Sequence, residues 1–121
     1  MGRPNNNIKV GKTGENHATD YLLQADFSIV ERNWRFRRLE VDIIAAKDGI
    51  LHFVEVKTRN STRYGFPETA VSGKKMRFLK EAAAAYQTAF PAWEKVQFDV
   101  IAIQLHLDAV KDIHVNWDVY F

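Results

Sequence analysis

Residues 40–57 read Glu40-Val41-Asp42-Ile43-Ile44-Ala45-Ala46-Lys47-Asp48-Gly49-Ile50-Leu51-His52-Phe53-Val54-Glu55-Val56-Lys57. Asp48-Gly49 is a two-residue hairpin signal, because a type I′ turn needs positive φ at both central positions. The runs on either side are rich in Val and Ile, which suits strands. Counting outward from the turn pairs Lys47 with Ile50, Ile44 with Phe53, Asp42 with Glu55 and Glu40 with Lys57. Side chains alternate along a strand, so Glu40, Asp42, Glu55 and Lys57 are expected on one face, with Val41, Ile43, Val54 and Val56 on the other. His52 then falls away from the charged face. Opposed carboxylates repel unless a cation offsets them. Mg²⁺, which binds one or two carboxylates plus water and phosphate, would do so. Lys57 would do so in part, and a salt-bridged solvent face of an ordinary hairpin uses the same residues.

The rest of the chain narrows the choice. Its 121 residues suit one domain, and 46% hydrophobic against 26% charged residues indicate a globular fold. No cysteine is present, which excludes disulfides, zinc–thiolate sites and a Cys nucleophile and suits a reducing cytoplasm. No apolar run has the length of a membrane span, and Met1-Gly2-Arg3-Pro4-Asn5-Asn6-Asn7 lacks the apolar core of a signal peptide. The expectation is therefore a cytoplasmic protein with no membrane partner. Net charge is only +2, yet residues 32–80 carry twelve Lys/Arg against five Asp/Glu. A basic segment that also holds the carboxylates fits a polyanion partner, and equally a solvated surface.

In chain order, residues 1–9 read as a loose polar tail, and 10–121 as a single domain. Gly11-Lys12-Thr13 lacks the upstream glycine of a phosphate-binding loop, since position 6 is Asn6. A helix is expected over 13–25, with Glu15, Ala18, Leu22 and Ala25 on one face. Glu15 is either a first-turn acid favoured by the helix dipole or a carboxylate turned towards the core's edge. A strand follows over 28–36, where Trp34 and Phe36 share one face while Arg35 and Arg37 project from the other. That alternation suits phosphate contact, or an edge strand protected by charge. After the hairpin, residues 58–72 form a loop in which Arg59, Arg63, Tyr64 and Phe66 are placed to meet phosphates or bases, or to anchor the loop. A second helix is expected over 73–89, capped by Ser72, with Met76, Leu79, Ala83, Tyr86 and Phe90 buried. Lys74, Lys75, Arg77 and Lys80 crowd its start against the dipole, which points to anion binding there. Strands over 96–104 and 111–120 complete an αβββαββ order, an α/β fold with a mixed central sheet flanked by helices.

This ordered set resembles the YraN-like family of small bacterial proteins, within the restriction-endonuclease-like PD-(D/E)xK superfamily. The resemblance runs from about Gly11 to the C-terminus. It rests on Gly14-Glu15 with Ala18 and Tyr21-Leu22, on Glu31-Arg32-Asn33-Trp34-Arg35, and on Glu40-Val41-Asp42-Ile43-Ile44-Ala45. Phe53-Val54-Glu55-Val56-Lys57-Thr58-Arg59, Tyr64-Gly65, Pro67, Ala70-Val71, Lys74 and Phe98-Asp99-Val100 complete it. Two positions depart from the pattern: Leu39 stands where the family usually has Gly, and Val41 where the superfamily has Pro. Neither removes a carboxylate or the lysine.

The resemblance implies a metal-dependent endonuclease acting on DNA in repair or recombination. On that implication Asp42, Glu55 and the Val56 carbonyl bind Mg²⁺ or Mn²⁺, with Glu15 as a further ligand. Lys57 orients water and stabilises the pentavalent phosphorane, and Glu40 tunes Lys57. Arg35, Arg37, Arg59, Arg63, Lys74, Lys75 and Arg77 meet nucleic acid. Archaeal Holliday junction resolvases are similar in size and layout, which points to branched DNA by fold analogy. Those resolvases work as dimers, and the sequence leaves a homodimer open. Two alternatives share the fold: a nucleic-acid-binding module without turnover, and a protein-interaction scaffold. A binding module tolerates Asp42→Asn, and a scaffold has no salt-dependent nucleic-acid affinity.

Overall fold

The computed structural model describes residues 3–60, 71–107 and 109–119, with side chains from residue 11 onward. Helix α1 spans Arg3–Gln24, followed by β1 (Ser28–Phe36), β2 (Leu39–Lys47) and β3 (Ile50–Arg59). Then come helix α2 (Gly73–Ala89), β4 (Lys95–His106) and β5 (Ala109–Asn116). The αβββαββ order and the α/β class are those expected. One five-stranded sheet runs β1-β2-β3-β4-β5. Every neighbour is antiparallel except β3 and β4, which pair in parallel across α2.

The sheet has a hydrophobic cluster on each face. Ala18 and Leu22 of α1 pack with Phe27, Ile43, Val54, Ile101 and Ile103 on one side. Met76, Leu79, Ala83 and Tyr86 of α2 pack with Val41, Ile44, Phe53 and Val100 on the other. Ser72 caps α2 as expected, its side chain accepting from the Lys75 N–H at 3.1 Å.

Two boundaries and one burial differ most from expectation. Helix α1 begins at Arg3, so most of the expected 1–9 tail forms its first turns. No proline lies between Asn5 and Ala25, and single glycines such as Gly11 and Gly14 weaken a helix without stopping it. Strand β5 ends at Asn116 rather than Tyr120. Asp118 takes φ 57°, and its N–H bonds to Asp99 instead of extending the β4–β5 ladder. Phe90 caps α2 and is 48% exposed rather than buried, because Tyr86 already closes the core at that turn. The expected nucleic-acid loop, with Arg63, Tyr64 and Phe66, lies outside the described residues.

Candidate metal centre

The hairpin forms in the expected register near its turn, from Lys47↔Ile50 to Ile43↔Val54. The expected pairs Asp42–Glu55 and Glu40–Lys57 are not part of the ladder. The strands part at the point where pairing would press two carboxylates together.

A local kink explains where Asp42 goes instead. Val41 packs with the α2-side cluster while Ile43 packs with the α1-side cluster. In a regular strand residues two apart share a face, so β2 breaks its alternation at Asp42. Strand β1 bends with it: Asn33, between the partners of Ile43 and Val41, has φ 52°. Asn is among the few residues that tolerate this conformation. With its neighbours on opposite faces, Asp42 lies between them and reaches β3. Its Oδ2 accepts the Val56 N–H at 2.7 Å. A residue's N–H and C=O leave a strand on the same side, so the Val56 carbonyl borders the same gap.

The kink overturns the expectation that four charged side chains share a face. Glu40 joins Glu15 on the α1 side. The Asn33 amide nitrogen donates to both oxygens of Glu15, at 3.0 and 3.2 Å, and to Glu40 Oε2 at 3.0 Å. Glu15, Glu40 and Asp42 each offer a carboxylate oxygen, and these lie within 4.8 Å of one another. Glu15 is thus turned inward, with Arg32 at 3.7 Å. Glu40, expected beside Lys57, makes its contacts to β1: Asn33 and Arg35, the latter at 3.1 Å.

Alternation along β3 from Phe53 places Glu55 and Lys57 on the α2 side. Glu55 stands outside the three-carboxylate group. Its Oε2 is buried and makes no hydrogen bond to any described residue, although Lys75 Nζ lies 3.3 Å away as a charge partner. A buried carboxylate oxygen with charge compensation but no donor is one that a cation would satisfy.

Asp42 belongs to both halves. Burial pushes its carboxyl up to about 7, and the Glu55 and Glu15 charges add to the effect. The Val56 N–H and Lys75 pull it back. Acids that raise one another's affinity for protons do the same for a divalent ion. The donor set is all oxygen, which suits Mg²⁺ or Mn²⁺. The residues present therefore fit a hard divalent cation.

The basic residues divide. Lys75 and Arg38 line a cleft of about 130 Å³ with Glu40, Val41 and Phe78, between the β1–β2 turn and α2. Arg35, Arg37, Lys74 and Arg77 are exposed, and Arg59 closes β3. Arg37 lies over the Phe36 ring at 5.0 Å instead of projecting from the opposite face, because φ 58° turns it out of the strand. Sequence reasoning missed Asn33 as the donor that joins two acids. The available signal was an asparagine inside an otherwise β-prone run.

The comparisons agree on family. The model described as "Uncharacterised protein family UPF0102" matches residues 14–103, a span holding Glu15, Glu40, Asp42, Glu55 and Lys57. A UPF0102 protein of Bacteroides fragilis is 46% identical over 94 residues, covering 78% of each chain. One from Rhodococcus jostii is 44% identical over 100 residues, covering 82% of this chain and 85% of the relative. One from Syntrophomonas wolfei is 40% identical over 110 residues, covering 90% and 96%. On the family model and on these relatives alike, the chain belongs to the UPF0102, or YraN-like, family.

Proposed function

We propose that this protein is a divalent-metal-dependent endonuclease of the PD-(D/E)xK kind, hydrolysing phosphodiester bonds in DNA, branched DNA in particular. The observation that carries the reading is the convergence of Glu15, Glu40 and Asp42 where β2 leaves β3. The buried Glu55 oxygen, paired by charge with Lys75, lies just beyond. Glu15, Glu40 and Asp42 would hold the cation, with Glu55 joining as Lys75 gives it up. A divalent ion there supplies charge neutralisation at the scissile phosphate and a more acidic water. Asn33 fixes the two outer acids so that little reorganisation is needed. Lys57, on the face of Glu55, orients the attacking water and offsets charge developing on phosphorus. Lys75 and Arg38, in the adjoining cleft, meet the phosphate backbone, and the exposed Arg35, Arg37, Lys74 and Arg77 extend that contact.

The test is cleavage of labelled duplex, single-stranded, flapped and four-way-junction DNA, and of RNA, with Mg²⁺, Mn²⁺ or EDTA. Cutting should require metal, favour the junction, and fall on the order of 10³-fold in Lys57→Ala. Asp42→Asn should fall as far while retaining salt-sensitive DNA binding. No cutting of any substrate, with binding intact, leaves the binding module. Loss of both leaves the scaffold.

A further inference from the structure

At the other end of β2, five residues or about 17 Å along the strand from Asp42, lies a second polar cluster that the proposed nuclease does not use. Asp99 is buried on β4 and has three polar partners. Gln97 Nε2 and the Asp118 N–H bind its Oδ1, each at 2.8 Å, and His52 Nδ1 lies 2.6 Å from its Oδ2. In the tautomer that carries its proton on Nδ1, His52 donates to this oxygen. That tautomer presents Nε2 as an acceptor, and no described residue bonds to it. The His52 side chain is only 8% exposed, yet it lines a cavity of about 400 Å³.

The walls of that cavity have a specific chemistry. Phe27 and Trp117 lie parallel, 1° apart in plane with centroids 5.7 Å apart, and His52 stands edge-on to both. Trp117 remains 40% exposed. Gln97 commits its amide nitrogen to Asp99, which leaves its carbonyl oxygen as a second acceptor. Lys47 is tied to the Ala25 carbonyl at 2.8 Å and lies over the Phe27 ring at 5.2 Å. An ammonium has three donors, so two remain for an anion.

We propose that this cavity binds a nucleotide: an amine-bearing base against the aromatic wall, its N–H groups on His52 Nε2 and the Gln97 carbonyl, its phosphate on Lys47. A core histidine secured by a carboxylate explains the His52–Asp99 contact alone. It does not explain a cavity that gathers the His52 and Gln97 acceptors, the Lys47 cation beside Asp48, and an exposed indole. The ligand is either a free nucleotide or the end of a strand, since both carry the same groups.

The experiment is an NMR titration of the full chain in EDTA with AMP, CMP and UMP, and with an oligodeoxyadenylate of about ten residues, following the Trp117 indole signal. AMP, CMP or the oligonucleotide should shift it saturably below millimolar concentration. UMP should bind about tenfold more weakly, because its base carries an acceptor where the amine would be. Lys47→Met and Trp117→Ala, both at the rim and the latter followed on the ligand's own base signals, should each weaken binding about tenfold while melting cooperatively. AMP binding identifies a free nucleotide, and oligonucleotide binding alone identifies a strand end. No shift with any probe at millimolar concentration overturns the proposal, as does equal binding of UMP or binding unchanged in both variants. The titration needs no metal and is repeated in Asp42→Asn, so its failure is separate from failure of the nuclease reading.

Discussion

Replacing Gly14 with alanine should destabilise the protein by about 2–3 kcal/mol, as overpacking a close contact does. A Cβ at Gly14 would stand 1.8 Å from Thr58 Oγ1 and 2.8 Å from both Thr58 Cβ and Cγ2. Rotating the threonine moves Oγ1 and Cγ2 but leaves its own Cβ in place. Helix α1 must therefore lift away from β3. Gly14 precedes Glu15, and Thr58 lies two residues after Val56, so the lift pulls one acid away from the others. Divalent-ion binding should weaken along with stability. Thr58→Gly removes the obstructing atoms and should restore part of both, with a coupling above about 1 kcal/mol in a double-mutant cycle of denaturant melts. A Gly14→Ala midpoint unchanged from the parent would show that α1 and β3 are not in this contact.

The second large effect has the opposite sign. Asp42→Asn should stabilise the metal-free protein at pH 8 by about 2–4 kcal/mol, and the gain should vanish near pH 3.5. The Asp42 carboxyl rises from 3.8 in the open chain to about 7 in the fold. Below pH 3.8 it holds its proton in both states and contributes nothing. Between 3.8 and about 7 the unfolded chain has released that proton and the folded chain has not. Each pH unit in this window favours unfolding by about 1.4 kcal/mol. Above about 7 the penalty is constant. Asparagine removes the charge and keeps an oxygen for the Val56 N–H. Thermal melts across pH 3.5–8 measure this directly. Millimolar Mg²⁺ at pH 8 should raise the parent's melting temperature and leave the variant's unchanged. A variant no more stable than the parent at pH 8, or equally stabilised at pH 3.5, would refute the account.

How far the sequence carried depends on how local each feature is. The Asp48-Gly49 turn set the hairpin register correctly for as long as the ladder lasts, because a two-residue loop admits few geometries. Ser72 and the apolar spacing of α2 marked that helix, since capping and periodicity are properties of neighbouring residues. Alternation then failed at Asp42. The kink leaves its one mark, Asn33, on β1, so the pattern of β2 by itself could not assign Val41 and Ile43 to opposite faces. Glu15 entered the site through family resemblance, because its own helical spacing fitted two roles. Its bond to Asn33 spans 18 residues. His52 and Asp99 are 47 apart and meet only because β3 and β4 run in parallel. No local pattern announces such a pair.

The parallel join between β3 and β4 also sets an order of assembly. Two-residue turns connect β1 to β2 and β2 to β3, whereas 35 residues, 60–94, separate β3 from β4. Loop-closure entropy grows with length, and non-local pairings form late in folding. The three-strand meander should therefore form first, carrying Asn33, Glu40, Asp42 and the Val56 amide together before α2 arrives. Lys75, the charge partner of Glu55, comes with α2. The acids thus gather while their neutralising cation is still absent, so divalent ions should speed the early phase of refolding in stopped-flow experiments. A refolding rate indifferent to Mg²⁺ would place the meeting of the acids after the closure of β4.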